Sequence, residues 1–595
     1  MNELRRVKAS YFSDKAAKIC KSGGVYKVLS ARNKDDGGIK ILDPGTDKLV
    51  TDDSKLCDIF LNKFKNKSSN LHKGTKINLD KIDKILKDNI KAENWDVGMF
   101  SELDILNAIN KLKNSASSGP DNISCKIIKA LKFALLKPMS HLANMSVETG
   151  VFPEIWKAGN ILPVHKKGSK LSSDNYRPII LMSNMGKILE SAVIRNVMPY
   201  IDLYLPSAMH GFRPNRSTET ALCALLEEIK LERYKKKNVA ILALDCSAAF
   251  DILDHDLILL SLKHLGAGCR MQSWVNSFMS NCKYTVKIGN TVSESWCPHI
   301  GVGQGRRLSL ILFNIGCLSM QFWEKVGKSI VYADDGCTII SGNSMEDLNK
   351  NIESACKDKT EWYQDAGFVI NGAKSELLGI NCKPDPITIA GHKVLNKSNI
   401  KFLGLNITQD LKWNVHINKL CDKARFAANK IRTEGWCFSL KDRVLLYNGW
   451  VRSLFLTNAL AFLPFASKTQ MTDSQRALNS DIRAIYGIER FGHDDISFLR
   501  HKLHIPGIVE IRNYVCQKAA WARRCYFRSK LPDEPKTRSQ TLKRIPLEDS
   551  RGWLGKSLKS TLTPFWNELP LEVKECEDSL KTTCLLKKHV FRFNV

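Results

Sequence analysis

Hydrophobic and polar positions along this 595-residue chain fall into four stretches that differ in period. Residues 1–95 are rich in Lys, Asn and Asp. Patches such as SKLCDIFLNKFKN (54–66) space apolar residues three and four apart, which predicts an extended or helical N-terminal connector arm. Residues 96–385 alternate continuous apolar runs, read as strands, with amphipathic segments, read as helices, so a mixed α/β (α+β) core is expected there. In the third stretch, 386–530, the pattern turns mostly helical after residue 400. RVLLYNGWVRSLFLTNALAF (443–462) reads as one long apolar-faced helix. IVEIRNYVCQKAAWARRCYF (508–527) reads as a second, its basic and aromatic residues interleaved as nucleic-acid-binding helices have them, although ordinary packing gives the same stripe more often. In the last stretch, 531–595, a linker with two prolines (530–541) precedes a C-terminal piece containing WNELP.

Two places break this patterning. In SIVYADDGCTII (329–340), Asp334 and Asp335 stand side by side between two strand-like runs. Inside a strand they would send one charge into each layer, and a buried unpaired carboxylate is costly. A tight turn at Asp335 and Gly336, folding Ile330–Ala333 against Cys337–Ile340, resolves the Asp-Gly pair but leaves Asp334 unexplained. A structural hairpin and a metal site both remain open on this stretch alone. The second break lies upstream in NVAILALDCSAAFDILDHDLILLSLKHLG (238–266). There Val239–Leu244 reads as a strand covered on both faces and ends at Asp245, before a leucine-rich helix. A lone Asp at such a junction is ordinarily a helix cap. If the strand instead pairs with the hairpin, three carboxylates converge at one sheet edge, where they repel one another unless cations sit among them. Hard divalent cations suit oxygen ligands, and magnesium takes few carboxylates supplemented by substrate phosphates.

Charge supplies a substrate class. Ninety Lys and Arg against 61 Asp and Glu give a formal net charge of +29, with clusters such as RYKKK (233–237), which favours a polyanionic partner, nucleic acid before a membrane surface. The 18 cysteines are scattered, without C-x-x-C pairs or zinc-ligand spacing, so neither a zinc finger nor a disulfide framework is predicted. The longest apolar stretch, LFLTNALAFLPFA (454–466), is too short to span a bilayer, so no membrane association and a soluble intracellular protein are expected.

ALDCSAAFD (243–251) followed by YADD (332–335) resembles the palm of reverse transcriptases, and the order of the blocks between them resembles non-LTR (LINE-like, jockey-type) retrotransposons. The segment 150–190 is similar to the family's fingers. HGFRPNRSTETAL (210–222), DHDLILLSL (254–262), GVGQG (301–305), IKFLGLNITQDLKW (400–413) and WNELP (566–570) resemble further blocks, so the likeness covers most of the chain.

The resemblance implies a right-hand polymerase, with fingers and palm in 96–385 and a primer grip, helical thumb and extension in 386–530. It implies an RNA-directed DNA polymerase that extends a primer 3′-hydroxyl with dNTPs using two Mg²⁺. RNA template, DNA primer or target, and a ribonucleoprotein with its own transcript are the implied partners, in nucleus and cytoplasm. Asp245 and Asp334 match direct metal ligands, with Asp335 tuning or sharing the site. Lys374 matches a general acid for departing pyrophosphate. Lys166 and Arg177 match triphosphate-binding residues, Phe250 a steric gate against the 2′-hydroxyl, and Gln304 and Gly305 the loop under the nascent base pair. Phe402, Leu403 and Gly404 match the primer grip, a stretch that by itself is only a strand turn.

This sequence departs from the pattern at Gly303, at Arg306 and Arg307, which lie beside the template-facing loop and are expected to add backbone contacts or to obstruct the nucleotide, and at Gly336, expected to favour but loosen the turn. Residues 1–95 are short for the endonuclease that precedes the polymerase in full-length members and lack its His and Asp motifs, which leads to the expectation of an endonuclease-less element product. The alternative function is a catalytically inactive RNA-binding remnant of the same fold.

Overall fold

The computed structural model describes residues 38–73, 77–114, 116–434, 438–488, 495–525, 543 and 558–591. The expected proline linker at 530–541 lies outside the described residues. The fold is mixed α/β. Eight strands frame the region of interest: β1 (Ala158–His165), β2 (Tyr176–Met182), β3 (Asn238–Leu244), β4 (Lys283–Ile288), β5 (Thr291–Val292), β6 (Lys328–Tyr332), β7 (Asp335–Gly342) and β8 (Glu376–Ile380).

The central sheet has the order β8-β3-β7-β6 and is antiparallel throughout. As the apolar run 239–244 predicts, β3 is covered on both faces. Ala240, Leu242 and Leu244 enter one core layer, and Val239 and Ile241 enter the other. Each fully buried side chain of this kind contributes about 1.5–3 kcal/mol by leaving water. The first layer is built from helices such as Asn184–Tyr204, His255–His264 and Met345–Asp365. The second is built largely from the C-terminal helices Asn414–Glu434 and Lys468–Tyr486.

A second four-stranded sheet, β2-β1-β4-β5, is antiparallel except for the parallel pair β1–β4. The helix Asp53–Lys73 covers it, with Phe60 and Phe64 buried against Ile161, Ile180 and Tyr284. The described part of 1–95 is therefore packed into the molecule. Ile82 and Leu86 of the next helix, Leu79–Asn89, also enter the first core layer.

After Thr408 the described regular elements are all helical, as the sequence predicts. Residues 443–462, however, are not one helix. A π-helical turn at Asn448–Arg452 interrupts them, and Asn458 adopts a left-handed backbone (φ 55°) between the short helices Ser453–Leu456 and Ala459–Phe462. The cause is tertiary: the Asn458 amide donates to the Leu403 carbonyl (2.8 Å), and its side-chain oxygen accepts from Thr218 (2.8 Å). In the helix Ile508–Ala522, Trp521 is buried and donates to the Cys576 carbonyl, so packing accounts for this ring of the basic-aromatic stripe. Trp566 of WNELP is also fully buried, in a small C-terminal core.

Candidate active site

β3 ends where β7 begins. Leu244 pairs with Gly336, so Asp245, one residue on, lies level with Asp335 at the end of the ladder. Tyr332 pairs with Asp335, which closes a two-residue hairpin with Ala333 and Asp334 at its tip. The turn therefore falls before the predicted Asp335-Gly336 position, and Gly336 is an ordinary strand residue. Ala333, not Gly336, carries the positive φ (58°).

Packing from a neighbouring segment explains that choice. The Val331 N–H donates to the Ala208 carbonyl (2.9 Å), and the His210 N–H donates to the Val331 carbonyl (2.8 Å). Gly211 approaches so closely that a Cβ there would lie 2.5 Å from the Ala333 nitrogen. The block 210–222 thus clamps the tip of the aspartate hairpin.

Asp245 is pinned from the other side. Its carbonyl accepts from the Asn371 N–H (2.8 Å), in the loop that leads to Lys374. The Lys374 ammonium stands 3.7 Å from an Asp245 carboxylate oxygen. This pair is largely exposed and worth little to stability, so its interest is chemical.

The three carboxylates sense one another. Asp334 and Asp335 reach solvent at the hairpin tip, yet the surrounding cleft strips enough water from them to raise their affinity for a proton. For Asp334, desolvation acts first, its own backbone N–H opposes it, and the Asp245 charge raises it further. For Asp335, desolvation is followed by the charges of Asp334 and Asp245. Arg177, on β2, pulls both back down. Such a cluster gains from a cation.

Among the described residues, no three Asp, Glu, His or Cys side chains are already gathered as a metal cage. The carboxylate oxygens of Asp245, Asp334 and Asp335 are the donor type that a hard divalent cation takes.

Basic groups from separate elements act near the carboxylates. Lys166, just after β1, has its proton affinity lowered, first by desolvation and then by the charges of Lys67, Lys374, Arg177 and Lys167. The sequence-predicted residues Lys166, Arg177 and Lys374 are therefore brought together. Gln304 joins through a residue to which sequence reasoning gave no role: its amide donates to Asp251 (2.9 Å), whose charge acts in turn on Asp334. Asp251 lies six residues beyond Asp245 on the same strand-helix connection, and that spacing was the available signal.

Gly305 (φ +120°) lies against β2. The Ile180 N–H donates to the Gln304 carbonyl at 2.7 Å, and a Cβ on Gly305 would fall 2.4 Å from the Ile180 carbonyl oxygen. Arg306 turns inward rather than out from the loop. It is buried with its guanidinium 3.4 Å over the Phe278 ring and one nitrogen 3.0 Å from Cys282 Sγ, in the lining of the cavity beside Gln304. The aromatic face offsets part of the hydration this planar cation loses. Arg307 donates to Ser191, on the helix Asn184–Tyr204.

Phe250 is half-buried, its ring stacked on Phe313 at 4.2 Å, and it also lines a cavity beside Gln304. Phe402, Leu403 and Gly404 form the tip of a separate hairpin, Asn399–Phe402 with Leu405–Thr408, whose turn has positive φ at Leu403 and Gly404. This hairpin packs in the second core layer, away from the face of the aspartate cluster's helices.

Residues 164–407, which span the carboxylates, the Gln-Gly loop and this hairpin, match the family model described as reverse transcriptase (RNA-dependent DNA polymerase). The match covers 244 of the 595 residues. Its curated relatives include the RNA-directed DNA polymerase from mobile element jockey of Drosophila melanogaster, 23% identical over 357 residues (58% of this chain, 38% of the relative). The Pol polyprotein from retrotransposable element R1 of Bradysia coprophila is 25% identical over 365 residues (58% and 35%). A shorter stretch is 33% identical to the R2 element polyprotein of Popillia japonica over 152 residues (24% and 25%). The likeness is thus to non-LTR retrotransposon polymerases, and the chain spans about two-fifths of the length of such relatives. Among solved structures, apo telomerase from Candida tropicalis is similar over 66% of this chain and 71% of its own, with 14% identity and a TM-score of 0.36. No helix among the described residues is long and apolar enough to cross a membrane.

Proposed function

We propose that this chain is an RNA-directed DNA polymerase of a non-LTR retrotransposon, which extends a primer 3′-hydroxyl with dNTPs on an RNA template. The observation that carries the reading is the β3–β7 register, which sets Asp245 beside the hairpin tip bearing Asp334 and Asp335. In this reading 96–385 are fingers and palm, 386–530 carry the primer grip and thumb, and 531–595 are a C-terminal segment.

Asp245 and Asp334 would hold two Mg²⁺, with Asp335 sharing or tuning the site. Such ions, when bound, neutralise charge on the attacking and leaving oxygens of phosphoryl transfer. The chain's own groups do the rest. Lys166 and Arg177 bind the triphosphate, the guanidinium through paired N–H donors. The 3′-hydroxyl gives its proton to water as its oxygen attacks the α-phosphorus, the bond to pyrophosphate breaks, and Lys374 donates a proton to the departing group. Gly305 lets the Gln304 loop lie flat against β2 beneath the new base pair. Phe250 guards the sugar, and the Phe402–Gly404 turn positions the primer end. RNA and primer backbones are held by the basic surface, with ribonucleoprotein assembly on the element transcript and a nuclear and cytoplasmic life following from that role.

The test is dTTP incorporation on oligo(dT)-primed poly(rA) with Mg²⁺. Wild-type incorporation that Asp334→Ala reduces by at least about a thousandfold supports the reading. Equal activity of the variant removes the mechanism, and template binding without wild-type incorporation selects the inactive RNA-binding form.

A further inference from the structure

The cavity beside the Gln304 loop has a wall that lies outside the family-matched segment. Phe64 and Lys67, from the helix Asp53–Lys73, line it together with Phe250, Asp251 and Gln304. Phe64 is buried in the core under β1 and β2, which fixes this part of the helix on the sheet. One helical turn on, the Lys67 ammonium stands 3.2 Å from the Asp251 carboxylate, the same group that accepts from Gln304 at 2.9 Å. A second lysine of the helix, Lys63, pairs with Asp174 in the loop between β1 and β2. The helix is thus tied by Lys67 to the connection that follows Asp245 and by Lys63 to the loop between Lys166 and Arg177.

The Lys67 charge also reaches a basic group outside the cavity lining. After desolvation, the Lys67 charge lowers the proton affinity of Lys166 more than that of Lys374, Arg177 or Lys167 does. Lys67, Lys166, Lys374 and Arg177 come from separate elements, and like charges at short range are costly unless an anion lies between them. A triphosphate is an anion of suitable valence, and an ammonium on a flexible four-carbon stem can turn from a carboxylate to a phosphate without backbone movement.

We propose that Lys67 is a further positioning residue of the nucleotide pocket, contacting a phosphate of the incoming dNTP from an element that precedes the reverse transcriptase domain. This rests on the polymerase reading above. It makes the helix Asp53–Lys73 a working part of the site, with Asp251 exchanging partners between Lys67 and Gln304 as the substrate enters.

The experiment is a dTTP titration of the full chain on oligo(dT)-primed poly(rA), comparing wild type, Lys67→Met and Lys67→Arg, with thermal melting and template-binding measurements on each. Loss of one charge-assisted phosphate contact raises KM for dTTP about tenfold in Lys67→Met and changes kcat and template Kd by no more than about twofold, while Lys67→Arg recovers most of the KM. A KM unchanged in Lys67→Met, or a change confined to template Kd or melting temperature, overturns the proposal. If the wild type incorporates nothing, the polymerase reading fails separately, and equilibrium binding of a fluorescent dUTP triphosphate analogue decides the role of Lys67. Weaker binding in Lys67→Met then supports it, and equal binding overturns it.

Discussion

Replacing Gly305 by alanine perturbs the site through backbone geometry alone. At φ +120° the backbone is in a region that residues with a Cβ rarely enter, at a cost of roughly 1–3 kcal/mol. The added Cβ would also sit 2.4 Å from the Ile180 carbonyl oxygen, a backbone atom held in the β1–β2 ladder and unable to swing aside. Relief requires the loop to lift from β2, which breaks the 2.7 Å bond from the Ile180 N–H to the Gln304 carbonyl and costs about 1 kcal/mol more. The sum, roughly 2–4 kcal/mol, corresponds to a loss of roughly 30- to 1,000-fold in kcat/KM for dTTP if the lifted loop carries Gln304 away from Asp251. The control lies in the same site. A Cβ on Gly336 meets only Val331 Cγ2, at 3.8 Å, and the backbone there is extended strand, so Gly336→Ala should keep kcat/KM within about twofold. Steady-state dTTP titrations of both variants make the comparison, with hydrogen exchange at the Ile180 amide as the local readout. Equal activity of Gly305→Ala and Gly336→Ala would refute the claim that the Gln304 loop is held by this close approach.

Further predictions follow from the carboxylates. The folded state raises the proton affinity of Asp334, so between the ordinary carboxylate range and that raised value the folded chain binds more protons than the unfolded one, and stability falls as pH rises. In EDTA, Asp334→Asn should therefore melt at a higher temperature than wild type at pH 7, and the gap should close on acidification below the ordinary carboxylate range. Asp481, on the helix Lys468–Tyr486, is buried with both oxygens lacking a hydrogen-bond partner, and desolvation pushes it up to about 8 despite the opposing charge of Arg432. Its stabilising proton is fully present below pH 4 and is lost as pH climbs through 8, a change on the order of several kcal/mol. Urea unfolding of the C-terminal helices should weaken between pH 6 and pH 9 in wild type, and Asp481→Asn should flatten that slope. An unaltered slope would show that Asp481 ionises without cost.

Much of the site was legible in the sequence because it depends on local rules. The apolar run 239–244 stops at Asp245, and only a strand covered on both faces needs such a run. The pairing of that strand with the hairpin follows once the two carboxylate sites share a sheet edge. What the sequence concealed was set by distant neighbours. The turn sits on Ala333 and Asp334 because residues 208–211 grip Val331 and Ala333, overriding the local preference of Asp-Gly. Arg306 reads as a loop cation but turns inward onto Phe278, a ring nearly 30 residues away in sequence. Asn458 breaks a continuous helical period because its side chain caps the Leu403 turn. Asp251 and Lys67 acquire meaning only when the helix Asp53–Lys73 is placed on the sheet, and 184 positions separate the two.

The central claim is that Asp245 and Asp334 share divalent cations only when a nucleotide supplies the remaining oxygens, and Mn²⁺ binding counted by electron paramagnetic resonance tests it most directly. With primed template and a non-hydrolysable dTTP analogue, the wild type should bind two tight Mn²⁺ per chain, with markedly weaker binding when the analogue is omitted, and the Asp245→Ala/Asp334→Ala double variant should lose both. Tight Mn²⁺ binding that survives in the double variant would contradict the account.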